Sequence, residues 1–326
     1  MSMTAEQIVD RRRIRRKLSF WRFIAVIAVI VVLAVALFAT GSRNGYLPSQ
    51  PQIARITISG FIADDRNQTD MLAKLAKDPA VKGVIVAIDS TGGSTTGGEA
   101  LYENLRKLAQ AKPTVSTIGT FGASAAYMAA IATDHIVARR TSLTGSIGVL
   151  FEYPEVSDLL TRLGVKVEDI KSAPLKASPN PFEPTTDEAR AVIQGVVADT
   201  FGWFVDIVAE RRNLPHDQAL TLADGRVYTG NQALGVKLID EIGGEDQALA
   251  WLGTKGVDAK LPVNDWRPDS PGRGVFPFAN AAADWLLQTS GLGQLIPTSL
   301  IDRLLPASLK LDGLLSLWQG QADGDS

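Results

Sequence analysis

The stretch "GVIVAIDSTGGSTTGGEA", Gly83 to Ala100, constrains this chain more than any other. Val84 to Ile88 are apolar without alternation, so both faces of the segment must be covered, as in an interior strand of a parallel sheet. The run ends in Asp89 and Ser90 and enters a loop with four glycines. Leu101, Leu105 and Leu108 then recur at helical spacing. A glycine loop between a buried strand and a helix presents backbone N–H groups at the carboxyl end of the sheet, where they can hold an oxyanion or a phosphate. The letters match neither GxxxxGK[ST] nor GxGxxG with its following acid, which turns the reading away from a nucleotide.

The same alternation continues on both sides. "IARITISGFI", Ile53 to Ile62, reads as a strand, and "TDMLAKLAK" as a helix with Met71, Leu72 and Leu75 on one face. "PTVSTIG" reads as a strand, followed by a helix from about Gly122, and "DHIVARR" as another short strand. Strand–helix alternation predicts an α/β fold with a mainly parallel sheet and flanking helices. Further on, "EYPEVSDLLTRLG" predicts a helix and "VKVEDIKS" a strand. A long helix then opens on a capping box of Thr185 and Glu188, with a stripe of Ile193, Val196, Val197, Phe204, Ile207 and Val208. "NDWRPDSPGRG", Asn264 to Gly274, reads as a linker, and residues 275–318 mix Leu, Trp and Pro in short amphipathic segments. Those segments suit a bilayer surface, a subunit contact or packing on the domain.

Ahead of the domain, Phe23 to Thr40 is eighteen residues without a charge. With its flanks, 19–41, it reaches the ~20 residues that span a hydrocarbon core. "RRRIRRK" lies just before it, so the positive-inside rule leaves a cytoplasmic basic segment, 1–18, and puts the remainder on the periplasmic or extracytoplasmic face of the inner membrane. A cleaved signal is the rival, but the apolar run exceeds a usual signal core. The expected organisation is an anchor at 19–41, a linker at 42–52, a catalytic domain at 53–263 and an extension at 264–326.

Composition narrows the chemistry. The chain has no cysteine, which excludes thiolate nucleophiles and disulfides, and a net charge of -2 gives no reason to expect nucleic acid. Only His135 and His216 are available to a histidine-dependent site, and neither has an evident orienting acid. Ser124 follows a strand and starts a helix in "GASAAYM", the logic of a nucleophile elbow without its GxSxG letters. Ser146 sits in another tight turn, "LTGSIGV". With no obvious histidine base, a lysine whose pKa is lowered by burial can serve. Lys171 and Lys176, in the proline-flanked "IKSAPLKASPNPFEP", are the candidates.

Four motifs in order, "IDSTGG", "GASAAYMAAIATDHIVA", "LTGSIGV" and "DGRVYTGNQALGVKLIDEIGG", resemble the signal peptide peptidase A (SppA) family of Ser–Lys proteases, across about Ile53 to Leu252. That resemblance implies a fold similar to Clp protease and crotonase. It places the nucleophile on Ser124 and the general base fifty-two positions later, on Lys176 rather than Lys171. It assigns Ser146 to hold the lysine, and the backbone N–H groups of Gly93 and Ala125 to the oxyanion. It further implies no cofactor or metal, a homo-oligomer in which serine and lysine can come from neighbouring subunits, and apolar peptide substrates such as remnant signal peptides or membrane-protein segments. The chain departs from the family pattern where S-G-G-Y reads S-A-A-Y, adding methyls at Ala125 and Ala126 beside the nucleophile, and where the usual lysine after Asp134 is His135. The alanines motivate a rival from another class, a catalytically weak member acting as a membrane-protein-binding scaffold. An acyl-CoA enzyme would share the fold but fits poorly with an exported chain.

Overall fold

The computed structural model describes residues 21–27, 50–268 and the backbone of 315–317. Residues 21–27 form a helix, α1, with exposed side chains, inside a unit, Met1–Gln50, that is separate from the body of the chain, Pro51–Ser326. The remainder of the expected anchor at 19–41, the basic segment and most of 264–326 lie outside the described residues.

The body is an α/β fold built on a mostly parallel sheet. Its elements run β1 (Gln52–Ile62), α2 (Arg66–Lys77), β2 (Val81–Ser94), α3 (Thr95–Ala111), β3 (Thr114–Ala123), α4 (Ala125–Ile131), β4 (His135–Ala138) and β5 (Leu143–Gly145). There follow α5 (Ser157–Arg162), α6 (Asp187–Arg212), α7 (His216–Leu222), β6 (Val227–Thr229), α8 (Gly230–Gly235), β7 (Glu241–Ile242), α9 (Glu245–Thr254), β8 (Val263–Trp266) and β9 (Leu315–Leu317). The strands order as β6-β5-β3-β2-β1-β8, with β4 joining β3 to β7 and β9 on β2. Among the described residues, only the β5–β6 and β2–β9 pairs are antiparallel.

β2 is central and covered on both faces, as its unbroken apolar run requires. Val84, Val86 and Ile88 enter a large core with helices α2, α3, α4 and α6, while Ile85 enters a smaller one with Ile53, Val115, Val137, Ala248 and Leu252. The predicted helical faces are also the buried ones. Met71, Leu72 and Leu75 are buried on α2, as are Leu101, Leu105 and Leu108 on α3.

Helix α6 divides into two halves. Phe204, Ile207 and Val208 are buried, whereas Val192 and Val196 are more than two-fifths exposed. Among the described residues it is also the one helix long and apolar enough to cross a membrane, and its second half packs on the core. Phe204→Ala removes a fully buried ring from that contact. The expected cost is about 3–5 kcal/mol, read as a lower urea midpoint with an unchanged m-value.

Three expectations shift. "VKVEDIKS" is irregular rather than a strand, with Val165, Val167 and Ile170 exposed. Its alternation is strand-like, but among the described residues no strand pairs with it, and a strand without a partner leaves its backbone to water. The cap of α6 is Thr186, whose side chain accepts from Ala189 N–H at 3.1 Å; Thr185 instead pairs with the Tyr153 hydroxyl. Thr185 and Thr186 both satisfy cap chemistry, and tertiary contact to Tyr153 selects between them. Finally, β8 carries the domain to Trp266, so Asn264–Trp266 is paired strand rather than linker. Asp265 there accepts from the Arg55 guanidinium at 2.6 Å.

Candidate active site

Three loops meet at the carboxyl ends of β2, β3 and β5. The first is the turn from β3 into α4. β3 runs to Ala123, one residue past the helix start expected at about Gly122, and Ser124 alone makes the reversal. Its backbone has φ 60° and ψ -123°, a region that non-glycine residues avoid. Such a conformation costs about 1–3 kcal/mol and persists only when its surroundings hold it. They do so here: Ser124 N–H donates to Gly145 C=O at 2.8 Å, and its C=O accepts from Tyr127 and Met128 N–H at 2.8 and 3.0 Å. At the far end of α4, Arg106 donates to Ala132 C=O at 2.8 Å and Arg211 to Ile131 C=O at 2.9 Å, satisfying terminal carbonyls of a seven-residue helix. Tyr127, fully buried, donates its hydroxyl to Leu238 C=O at 2.8 Å, and burial pushes that phenol's pKa up.

The second loop is the glycine run. Ser90 pins it, donating to Gly60 C=O at 2.5 Å and accepting from Gly92 N–H at 3.1 Å. β1 lies against it, with Ile62 opposite Gly93. A Cβ on Gly93 would stand 1.9 Å from Ile62 C=O, so no side chain fits. A Cβ on Gly98 would stand 2.7 Å from Met128 Sδ and 3.0 Å from Ala125 Cβ, so this glycine lets α3 pack on the first turn of α4. Gly93→Ala should therefore lower the melting temperature and reduce covalent labelling of Ser124 at least about tenfold, since overpacking of 1–3 kcal/mol must be relieved by moving the loop.

The third loop follows β5. Ala123 pairs with Gly145, which sets Ser146 in the turn beside Ser124. Ser146 is 7% exposed, has φ 47° and donates its backbone N–H to Arg226 C=O at 2.9 Å. Gly93, Ser124, Ala125 and Ser146 thus converge on one end of the sheet.

The lysines lie elsewhere in character. Lys171 binds Glu183 and lies 3.7 Å from Asp169. The bond to Glu183 raises the Lys171 pKa above its ordinary value and lowers that of Glu183 below its own. Lys176 is exposed, five residues on, in a turn where its N–H donates to Ala173 C=O at 3.0 Å. Ser124, by contrast, is 1% exposed.

Each histidine is engaged by groups of its own. His135 pairs across from Val115, nine residues before Ser124, or about 30 Å along a strand. It stacks on Trp251 at 5.0 Å and faces Glu241 at 3.3 Å, a packing role. His216 is half-exposed at the start of α7, 3.3 Å from Asp206. Ala125 and Ala126 are fully buried in the main hydrophobic core, so their methyls fill the domain interior. Ser90, Gly98, Arg106 and Arg211 shape the site yet are invisible to motif reading, except that the second "GG" of "TGGSTTGG" flags a close approach at Gly97 and Gly98.

Residues 106–259 match the model of Peptidase family S49. A protein of Methanocaldococcus jannaschii named as a protease is 34% identical over 245 residues, 71% of this chain and 79% of its own length. The chain belongs to peptidase family S49. A protein of Enterococcus faecium named as signal peptide peptidase SppA is 31% identical over 73% of each chain, and Protease 4 of Haemophilus influenzae is 29% identical over 61% of this chain and 34% of its own. A solved mutant of the 1510-N membrane-bound stomatin-specific protease overlaps 68% of this chain with a TM-score of 0.45 at 12% identity. As an S49 member the protein is a serine peptidase.

Proposed function

We propose that this S49 peptidase is a membrane-anchored endopeptidase with a Clp-protease-like fold that uses Ser124 as nucleophile and Lys176 as general base. The observation that carries the reading is the strained elbow at Ser124, because a conformation this costly is kept where it aims a side chain. Ser124 Oγ attacks the peptide carbonyl carbon while its proton passes to neutral Lys176 Nζ. Gly93 and Ala125 N–H groups hold the oxyanion, each donor worth about 3–4 kcal/mol in comparable sites. Collapse of the intermediate breaks the C–N bond, and the lysine returns its proton to the leaving amine. Water then repeats the cycle on the acyl-serine and frees the carboxylate. Ser146, in the neighbouring turn, holds the lysine in place.

The exposed position of Lys176 supports a dyad completed in a homo-oligomer, in which the lysine reaches a neighbour's serine. The segment around it carries Leu159, Leu163, Val165, Val167, Ile170 and Phe182, all nearly half exposed or more, an apolar surface suited to a second copy of the chain. The apolar anchor sequence supports a single-pass protein with its catalytic domain outside the cytoplasm and access to apolar peptides left in the membrane. The scaffold reading loses its motivation once Ala125 and Ala126 are core residues. Labelling of membranes with a fluorophosphonate tests the function. Capture at Ser124 in the parent chain, absent in S124A, is the expected result, and equal labelling of both chains sinks it.

A further inference from the structure

We propose that Asp89 and Ser142 are positioning residues for the peptidase reaction. They hold a bulge in β3, Gly119–Phe121, at which the strand exchanges one neighbour for another and brings Ser124 beside Ser146. The inference rests on the reading of Ser124 as nucleophile. Up to Ile118, β3 pairs with β4, as Val115 with His135 and Ile118 with Ala138. From Phe121 it pairs with β5 instead, as Gly122 with Thr144 and Ala123 with Gly145. The exchange coincides with a break in register on the other edge. There Ile88 faces Ile118 and Ser90 faces Gly122, so Asp89 alone spans what β3 covers with Gly119, Thr120 and Phe121. A surplus of two residues keeps the alternation of faces, which a surplus of one would invert. The chain folds back on itself there. A Cβ on Gly122 would stand 2.8 Å from Ile118 Cγ2, so glycine lets the bulge close.

Among the described residues, Gly119 and Thr120 pair with no strand, so the hydrogen bonds at the exchange fall to side chains. Asp89 Oδ1 accepts from Phe121 N–H at 3.0 Å. Ser142 is 2% exposed and stands just before β5. Its hydroxyl donates to Ile118 C=O at 3.1 Å and Gly119 C=O at 2.5 Å, and accepts from Arg139 N–H at 3.0 Å. One hydroxyl thus ties the end of β4, the start of the bulge and the start of β5 together. Beyond the bulge, Ser124 N–H donates to Gly145 C=O, and Ser146 follows directly. A slip of β3 by one residue would move Ser124 past Ser146 by about 3.3 Å. Neither Asp89 nor Ser142 touches the reacting atoms in this account; both act through the register of β3 on β5.

The test measures the rate of fluorophosphonate labelling of Ser124 per folded molecule in S142A, D89A and D89N. S142A removes the hydroxyl and D89A the acceptor, whereas D89N keeps an oxygen that accepts from Phe121 N–H. We expect labelling at least about tenfold slower in S142A and about threefold slower in D89A, with D89N within about twofold of the parent, because small misplacements of a reacting group cost rate steeply. Amide hydrogen exchange should accelerate at Gly122 and Ala123 and stay parental along Val115–Ile118. L75A is the control, since it opens a cavity under α2 and lowers the urea midpoint away from the bulge. Its folded molecules should label at the parental rate, which a merely structural effect of S142A would also give. Parental labelling of S142A or D89A, or L75A slowed as much as S142A, overturns the proposal. If S142A does not fold, D89A and D89N, altered at an exposed position, decide it. If the parent and S124A label alike, the reading of Ser124 falls, and exchange at Gly122 and Ala123 still decides whether the two side chains hold the bulge.

Discussion

Replacing Ser124 by alanine is expected to abolish peptidase activity and leave the fold intact. The loss should exceed about 10⁴-fold, since the nucleophile of a dyad cannot be replaced by the oxyanion donors that remain. Stability provides the sharper readout, because of where Ser124 sits. Its φ of 60° strains any residue with a Cβ, alanine as much as serine, so S124A should unfold at nearly the parent urea midpoint. Glycine reaches the same φ and ψ without penalty. S124G should therefore be as inactive as S124A yet more stable than it by about 1 kcal/mol, the strain released less the added chain entropy of glycine. An inactive variant that gains stability is the mark of a residue held against its preference for the sake of its chemistry. If S124G unfolds no later than S124A, the elbow stores no strain and its weight as evidence is lost. A melt and a labelling assay on the same three proteins decide the point.

Those features of the fold that depend on local chemistry were readable from the chain. The unbroken apolar run of β2 demanded a two-sided burial, and both cores provide it. Alternation of strand and helix gave the parallel sheet, and glycines at Gly92 and Gly93 marked a place where backbones approach. What the sequence did not reveal depends on partners distant along the chain. Val165 to Ser172 alternates like a strand, but whether an edge lies nearby is a property of topology. The cap at Thr186 over Thr185 is set by Tyr153, thirty-two residues from Thr185. Arg106 and Arg211 look like surface charges on their own helices, and only the packing of α3 and α6 brings them to the end of α4. The site divides in the same way. Ser124, Ser146 and Gly93 converge through strand register, whereas no pattern of spacing states that Lys176 stays exposed while Ser124 is buried.

That separation makes the lysine the second large expected effect. Lys176→Ala should lower activity about 10³-fold or more, since the serine proton then has no acceptor, while urea unfolding stays near the parent, as Lys176 is exposed. Lys171 is the control. Its bond to Glu183 raises its pKa, and a raised pKa keeps the amine charged as pH rises, the opposite of what a base requires. The stabilising effect of that pairing on Lys171 is present below the ordinary lysine range and is lost only as pH climbs through the raised value. For Glu183, whose pKa is lowered, it is present above the ordinary carboxylate range and lost on acidification. Across neutral pH the pair is thus intact and unreactive, and K171A should keep most of the activity. Mixing then asks which chain supplies the base. If the lysine reaches a neighbour's serine, S124A and K176A chains co-assembled from dissociated subunits should recover activity that neither has alone, because some sites combine an intact serine with an intact lysine. Absence of recovery in verified mixed oligomers would place both groups of each dyad in one subunit. Loss of activity in K171A with retention in K176A would move the base to Lys171, and with it the fifty-two-residue spacing on which the assignment stands.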